Sequence, residues 1–158
     1  MQSTKLSTQP LALVSRELFP HGLTRRGGEF RSLFDEHGLE VRGRAFELDY
    51  GRYSQLQKQG RLVWIVARAD ELPVGYCCSF WYRDLHYCAD YAATDDLWYV
   101  MPAFRRRGIG TELKKCCHVE LHRHGIRRVY DNIRGDEHAP LMGELGYEKW
   151  ATRWIKTL

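Results

Sequence analysis

Several features of exported and membrane proteins are absent from this chain of 158 residues. No apolar run approaches the roughly 18 residues that a membrane-spanning helix needs, and the apolar run at residues 11–14 is too short for a signal peptide. The five cysteines are two adjacent pairs and a single residue, which is not the pattern of a secreted disulfide framework. These are Cys77, Cys78, Cys88, Cys116 and Cys117. We therefore expect a cytoplasmic protein with reduced thiols.

The chain also lacks internal repeats and low-complexity segments. Its 44% of hydrophobic and 28% of charged residues are ordinary for a soluble globular domain. The length is sufficient for one domain with a buried core. We expect a single domain over residues 1–158, in which residues 1–28 form an N-terminal strand or a loose arm.

One segment, residues 99–113, has the composition of an anion-binding loop. A strand-like run ends at a proline, passes three arginines and two glycines, and enters a helical pattern. Amides at a helix N-terminus lack intrahelical partners and carry partial positive charge, so we expect a bound phosphate or pyrophosphate. Two nucleotide motifs do not fit. Thr111-Glu112 follows Gly110 in place of a Walker Lys-Ser/Thr pair, and Leu113 occupies the third glycine position of a Rossmann fingerprint.

What remains is Arg105-x-x-Gly108-x-Gly110 directly after Tyr-Val-Met-Pro. This motif resembles the coenzyme A signature of the GNAT N-acetyltransferases, Arg/Gln-x-x-Gly-x-Gly/Ala. Residues 141–148 look like the family's closing segment, and residues 72–76 resemble its strand that begins with valine, glycine and an aromatic residue. The resemblance covers roughly residues 29 to 158. Residues 85–87, 96–100 and 155–158 look most like those of small phage and prophage acetyltransferases.

The resemblance implies the acyl-CoA N-acyltransferase fold, which is an α/β fold with a mixed, mostly antiparallel central sheet flanked by helices. It also implies direct transfer of an acetyl group from acetyl-CoA to a primary amine. In the family, a bulge splays the strand before the loop from its neighbour, and the pantetheine arm lies between the two strands. By position, Val100 and Met101 supply backbone groups that face the thioester. The pyrophosphate is expected on seven residues: Arg105, Arg106, Arg107, Gly108, Ile109, Gly110 and Thr111.

Hydrophobic periodicity and turn residues predict an order of elements that fits this fold. The first elements are a strand near residues 11–15, helices over 29–39 and 49–58, and strands over 62–67 and 74–81. Two further strands are predicted over 87–93 and 96–101, separated by Thr94-Asp95. A helix over 108–124 follows, with Gly125 as its C′ residue. The chain then has a strand over 126–133, a short helix over 137–145 and one or two closing strands over 147–157.

The sequence identifies the residues for proton transfer less specifically than it identifies the phosphate loop. Asp95 and Asp96 lie at the entry of the strand that leads to the thioester, so either could accept the amine proton, directly or through water. His86, Tyr87, Glu47 and Asp49 are other candidates. Alignment on Gly146-Tyr147 places Met142 where many family members have a tyrosine that protonates the leaving thiolate. Because methionine cannot donate a proton, water, His138 or Tyr130 would have to replace it, or catalysis is weak.

The remaining charged residues indicate no metal site. His118 and His122 have the i, i+4 spacing of metal ligands, but a helical wheel places both with Lys114 and Lys115 on a solvated face. The net charge is +4, and because coenzyme A is itself a polyanion, nucleic acid is not expected as the main partner.

Two functions from different classes remain open. The first is the acetyltransferase, which acts on a small-molecule or protein amine away from membranes. The second is a catalytically weak acyl-CoA fold that works by binding a protein or a nucleic acid. Trp150 and Trp154 belong either to the core or to the surface of a homodimer.

Overall fold

The structure is a computed structural model that describes residues 12–20, 25–87, 89–133, 138–150 and 156. Its elements alternate between strands and helices from the middle of the chain onward. In chain order they are β1 (Leu13–Arg16), α1 (Arg25–Arg42), α2 (Tyr50–Lys58), β2 (Leu62–Ala69), β3 (Leu72–Arg83), β4 (Tyr91–Val100), a 3₁₀ turn (Pro102–Phe104), α3 (Ile109–Arg123), β5 (Arg128–Asp131) and α4 (Ala139–Glu144).

The five strands form one sheet in the order β1-β2-β3-β4-β5. β1 to β4 pair with one another in antiparallel fashion, and β5 runs parallel to β4. β2 is an almost continuous run of β-branched and aromatic residues because it is buried on both faces of the sheet. The prediction of a mixed, mostly antiparallel sheet flanked by helices is confirmed.

Alternate residues of the central strands pack into two separate cores. Ile65 and Cys77 contact the face covered by α3, which contributes Leu113, Cys117 and Leu121. Their chain neighbours point to the opposite face, which is covered by α1 and α2 and is rich in aromatic rings. The aromatic core contains Phe19, Phe30, Phe34, Trp64, Tyr76 and Tyr99. No helix in the described residues has the length and apolarity that crossing a bilayer requires.

A β-bulge interrupts the pairing of β3 with β4. Cys78 pairs with Leu97, and the next residue of β3, Ser79, pairs with Asp95, so that Asp96 is the extra residue. The bulge changes the alternation of side chains, because Asp95 faces α3 whereas Leu97 lies in the aromatic core. The resemblance implied a bulge in this strand, and the register places it at Asp96.

The main differences from the predicted boundaries concern two strands and the first helix. The two strands expected over 87–93 and 96–101 are one strand, β4, because the bulge absorbs Asp96 and leaves Thr94 and Asp95 paired with β3. α1 begins at Arg25, inside the predicted N-terminal arm and before the predicted start at residue 29, and it continues through Gly38 to Arg42. A Cβ on Gly38 would lie 2.6 Å from the backbone of Arg44 and of Phe46, so this glycine permits close packing and does not end the helix.

The end of the chain contains less regular structure than the sequence predicts. Residues 147–150 form no strand, and the rest of the predicted closing strands lies outside the described residues except for residue 156. Trp150 is exposed, and Trp154 lies among the residues that are not described. By contrast, Gly125 follows α3 with φ +77°, as expected for a C′ residue.

Candidate functional site

The N-terminus of α3 presents free backbone donors. Gly108 is the N-cap with φ 78°, and no described side chain caps the helix. The first backbone bond runs from Glu112 N–H to the Gly108 carbonyl at 3.0 Å. The N–H groups of Ile109, Gly110 and Thr111 therefore have no acceptor within the helix, and the helix dipole adds to their positive potential. This end of α3 can bind an anion.

The Arg105 side chain anchors the loop that precedes α3. Its Nε donates to the Val100 carbonyl at 2.8 Å, and its Nη2 lies 2.5 Å from Glu40 Oε2 on α1. The guanidinium also lies 5.4 Å from the centre of the Tyr99 ring. These contacts commit Arg105 to protein groups. Arg106 and Arg107 are exposed, so their charges face solvent beside the helix N-terminus.

Gly110 contacts the side chain of Trp98. A Cβ on Gly110 would lie 3.1 Å from Trp98 Cζ2, and the indole Nε1 donates to the Gly110 carbonyl at 3.2 Å. The direction of the missing Cβ is therefore toward the sheet. In this chain the second glycine of the motif allows the helix to pack on Trp98.

The pairing of β4 with β5 ends beside this helix. β5 pairs with residues 92–95 of β4, and the last pair is Asp95 with Asp131. Beyond it, the described part of β4 has a free edge toward β5. Met101 N–H donates to the Val74 carbonyl at 2.9 Å and so faces β3. Because backbone direction alternates along a strand, Val100 directs its N–H toward the free edge. We call the end of this pairing at Asp95 and Asp131, together with the free edge of β4 beyond it, the fork.

The fork closes on a buried charge cluster. The Lys114 ammonium, whose residue is 0% exposed, lies 2.7 Å from Asp95 Oδ2 and also donates to Asp131 Oδ2. Asp95 Oδ1 accepts from the Ser79 hydroxyl, and Asp95 Oδ2 accepts a second bond, 2.7 Å long, from the Tyr147 hydroxyl. Both oxygens of Asp95 are thus occupied by protein donors. We call Lys114, Asp95 and Asp131 the fork cluster.

The expectation that Lys114 lies on a solvated face is wrong. Burial disfavours the charged ammonium, but the neighbouring Cys77, Asp95 and Asp131 outweigh this effect and raise the pKa of Lys114. The lysine therefore stays charged inside the protein. His118 is also only half-exposed, and its Nε2 lies 2.7 Å from the Tyr147 hydroxyl. Only His122 and Lys115 of this group are exposed as expected.

Asp96 lies on the other face of the sheet. The Tyr53 hydroxyl of α2 donates to Asp96 Oδ2. Loss of hydration raises the pKa of the Asp96 carboxyl, and the bond from Tyr53 opposes this rise. The side chain still has contact with solvent. An accessible carboxylate with a raised pKa is suited to accept a proton, and Asp95 lacks that accessibility.

His138 lies near the fork on the side of α3. It is the N-cap of α4, it is exposed, and its ring centre is 5.7 Å from that of Trp98. Met142 on the same helix is buried, at 6% exposure. The Tyr147 hydroxyl bonds to Asp95 of the fork cluster. Tyr130, on β5, pairs through its backbone with Thr94.

Several residues of this site were not predicted from the sequence. Tyr53 and Asp131 have no local motif, and Tyr147 was noted only as part of the closing segment. Lys114 carried a usable signal, because it is one residue from Leu113 and three from Cys117 on α3, at the edge of the apolar stripe. A lysine at that edge needs a carboxylate partner if it is buried.

Comparison with known proteins identifies the family. Residues 29–139 match the sequence model of the Acetyltransferase (GNAT) family, which is more than half of the chain. The protein belongs to this family. No curated protein sequence matches the chain. The likeness to phage enzymes stays a prediction.

Solved structures share the fold at low sequence identity. An aminoglycoside acetyltransferase from an uncultured soil metagenomic sample, in complex with sisomicin, has a TM-score of 0.69 and 16% identity, covering 93% of this chain and 96% of that one. The ribosomal-protein-alanine N-acetyltransferase from Brucella melitensis biovar Abortus 2308 has a TM-score of 0.68 and 17% identity, with coverages of 92% and 99%. AAC(6')-Iy in complex with the bisubstrate analog CoA-S-monomethyl-acetylneamine has a TM-score of 0.69 and 15% identity, with coverages of 94% and 99%.

Proposed function

We propose that the protein is an N-acetyltransferase that moves an acetyl group from acetyl-CoA to a primary amine by direct transfer. The observation that carries this proposal is the fork: the pairing of a bulged β4 with β5 ends and leaves a free edge of β4, directly before an uncapped helix N-terminus. The family membership of the chain supports the same activity.

The residues present fit acetyl-CoA. The free N–H groups of Ile109, Gly110 and Thr111 suit a pyrophosphate, and the exposed Arg106 and Arg107 add formal positive charge next to them. The free edge of β4 offers backbone groups to an extended amide-containing arm, as a neighbouring strand would use them. The Val100 N–H on that edge would donate to the thioester carbonyl.

When bound, acetyl-CoA supplies a thioester whose carbon–sulfur bond breaks as a carbon–nitrogen bond to the amine forms, the amine losing one proton and the thiolate gaining one. Asp96 is the residue we assign to accept the amine proton, directly or through one water, because it is accessible and has a raised pKa. His138, beside Trp98 at the fork, is the residue assigned to supply a proton to the thiolate. Asp95 is assigned a structural role, since its oxygens are occupied.

Direct transfer is favoured over an acetyl-cysteine route. Burial raises the pKa of Cys78, and the bond to Cys117 together with burial raises that of Cys77. Burial also raises the pKa of Cys116. A thiol with a raised pKa is a poor nucleophile near neutral pH.

The acceptor we propose is a cationic amine. Asp96, the bulge residue that follows Asp95 in β4, is an accessible carboxylate that can attract an ammonium group before it takes its proton. Relatives in the fold bind sisomicin or carry the name ribosomal-protein-alanine N-acetyltransferase, which makes aminoglycosides and peptides with N-terminal alanine the first acceptors to try.

The test is release of free coenzyme A thiol from acetyl-CoA with sisomicin, a polyamine, lysine and a peptide with N-terminal alanine. We expect release that depends on one of these amines, together with a product heavier than that amine by one acetyl group. If acetyl-CoA binds and none of the amines supports release above the rate without amine, the second candidate function is favoured.

That second function is a weakly catalytic acyl-CoA fold that binds another macromolecule. The buried Met142 at the position of the family's tyrosine favours it. Binding to DNA or RNA that weakens steeply with salt would support it directly.

A further inference from the structure

A single ammonium connects the three elements that define the proposed acetyl-CoA site. Lys114 belongs to α3, whose N-terminus is the proposed pyrophosphate site, and its two carboxylate partners belong to β4 and β5. Asp95 and Asp131 are also the last paired residues of β4 and β5. The ammonium is therefore located where the fork begins.

Helix α3 connects the proposed pyrophosphate site at its N-terminus with the fork cluster at Lys114. Lys114 follows the N-cap Gly108 by six residues, which corresponds to about 9 Å along the axis of an α-helix. The lysine side chain then spans the distance from the helix to the closed end of the fork. This rigid connection fixes how far the closed end of the fork lies from the helix N-terminus.

Other contacts hold the fork cluster in one arrangement. Ser79 and Tyr147 also donate to Asp95, so the carboxylate is bonded from β3, from α3 and from one loop residue. The Trp98 ring covers the ammonium at 4.8 Å from Nζ to the ring centre, and the same indole donates to Gly110 in the first turn of α3. A lysine that served only to keep the surface soluble would be exposed and would make none of these contacts.

We propose that Lys114 is a positioning residue for acetyl transfer: it ties β4 to β5 at the closed end of the fork and so places the thioester against its backbone donor. This inference rests on the proposed function. Pyrophosphate binding depends on the N-terminus of α3, so it should persist when the bonds of Lys114 to Asp95 and Asp131 are lost. The position of the thioester relative to its backbone donor should change. Misplacement of reacting groups by about 1 Å can lower a rate on the order of 10²-fold.

The experiment must separate positioning from stability. In the triple variant Lys114→Met, Asp95→Asn, Asp131→Asn, the cluster contains no charge, so no unpaired ion remains buried. The variant Asp131→Ala keeps the Lys114–Asp95 pair and removes only the tie to β5. Lys115→Met, at the exposed neighbouring lysine of α3, is the matched control. For each we would measure the free energy of unfolding, the affinity for free coenzyme A, and kcat and KM with acetyl-CoA.

We expect kcat to fall on the order of 10²-fold in the triple variant and in Asp131→Ala. Their affinity for free coenzyme A should stay close to that of the wild type. Lys115→Met should have the wild-type kcat and the wild-type affinity for coenzyme A. A folded triple variant or Asp131→Ala with wild-type kcat would overturn the proposal, and so would a parallel loss of kcat and of coenzyme A affinity. If the wild type itself neither binds coenzyme A nor turns over, the proposed function fails first, and the inference fails with it.

Discussion

Replacement of Lys114 by methionine should expose the energetic cost of the fork cluster. Methionine is of similar length, but it leaves the carboxylates of Asp95 and Asp131 together in a buried site without a cation. Their side chains are 2% and 11% exposed. Removal of one partner from a buried ion pair typically costs about 3–5 kcal/mol. That is a large part of the roughly 5–15 kcal/mol that stabilises a domain.

The loss should depend on pH with a defined sign. Burial already raises the pKa of Asp131 in the wild type, and the Lys114 charge opposes this rise. Without Lys114 the folded-state pKa of Asp131 rises further above its unfolded value. A group with a raised folded pKa contributes stability that is present below the unfolded pKa, about 3.9 for an aspartate, and is lost as pH increases through the folded pKa. Lys114→Met should therefore be least destabilised near pH 4 and increasingly destabilised toward neutral pH.

Other titratable or polar groups also face the fork cluster and bear on the pH range in which unfolding is measured. These are Tyr147, His118, Ser79, Cys77 and Cys117. Burial lowers the pKa of His118 and raises that of Tyr147. Denaturant unfolding monitored by tryptophan fluorescence, at a series of pH values from acid to neutral, would measure the difference from the wild type. Lys115→Met is the control. A cost below about 1 kcal/mol, the value typical of a surface ion pair, or a cost that does not grow with pH, would refute the buried cluster.

Three further predictions concern the assigned roles. Asp96→Asn should lower kcat with little change in coenzyme A affinity, and the acid limb of the pH–rate profile that the raised pKa of Asp96 produces should disappear; an unchanged profile would remove Asp96 as the base. Tyr53→Phe keeps the ring but removes the bond that lowers the pKa of Asp96, so that limb should move to higher pH; a shift to lower pH would contradict the assignment. Gly110→Ala should not give the gain of about 1 kcal/mol that alanine has over glycine in a helix, because its Cβ would lie 3.1 Å from Trp98 Cζ2; a gain of that full size in thermal unfolding would show that the two groups are not in close contact.

Local patterns were sufficient to predict much of the fold. Residues 62–67 contain enough β-branched and apolar residues to identify β2, and the glycine after α3 identified the end of that helix. The loop before α3 could be interpreted because its arginines, glycines and following helical pattern lie next to one another in the chain. In these cases the residues that determine the structure are neighbours in the sequence, so the pattern can be recognised there.

The remaining features depend on contacts between distant residues. Gly38 would ordinarily end a helix, and only the close backbone of residues 44–46 explains why α1 continues through it. Lys114 is stabilised by Asp131, which lies 17 positions later in the chain. The bulge at Asp96 is a matter of register between two strands. The residues directly next to these positions do not reveal their environment, because the groups that determine it lie six or more positions away.

The central claim is that the N-terminus of α3 binds coenzyme A. Calorimetric titration of coenzyme A and acetyl-CoA into the wild type, Thr111→Glu and Thr111→Gln tests it most directly. Glutamate at the first turn is compatible with the helix dipole, so the helix should remain intact, whereas its charge opposes a pyrophosphate; glutamine is the neutral control of equal size. We predict micromolar binding by the wild type and by Thr111→Gln, and an affinity lower by more than about 10-fold in Thr111→Glu. Equal affinities of the three proteins, or no binding by the wild type, would contradict the account.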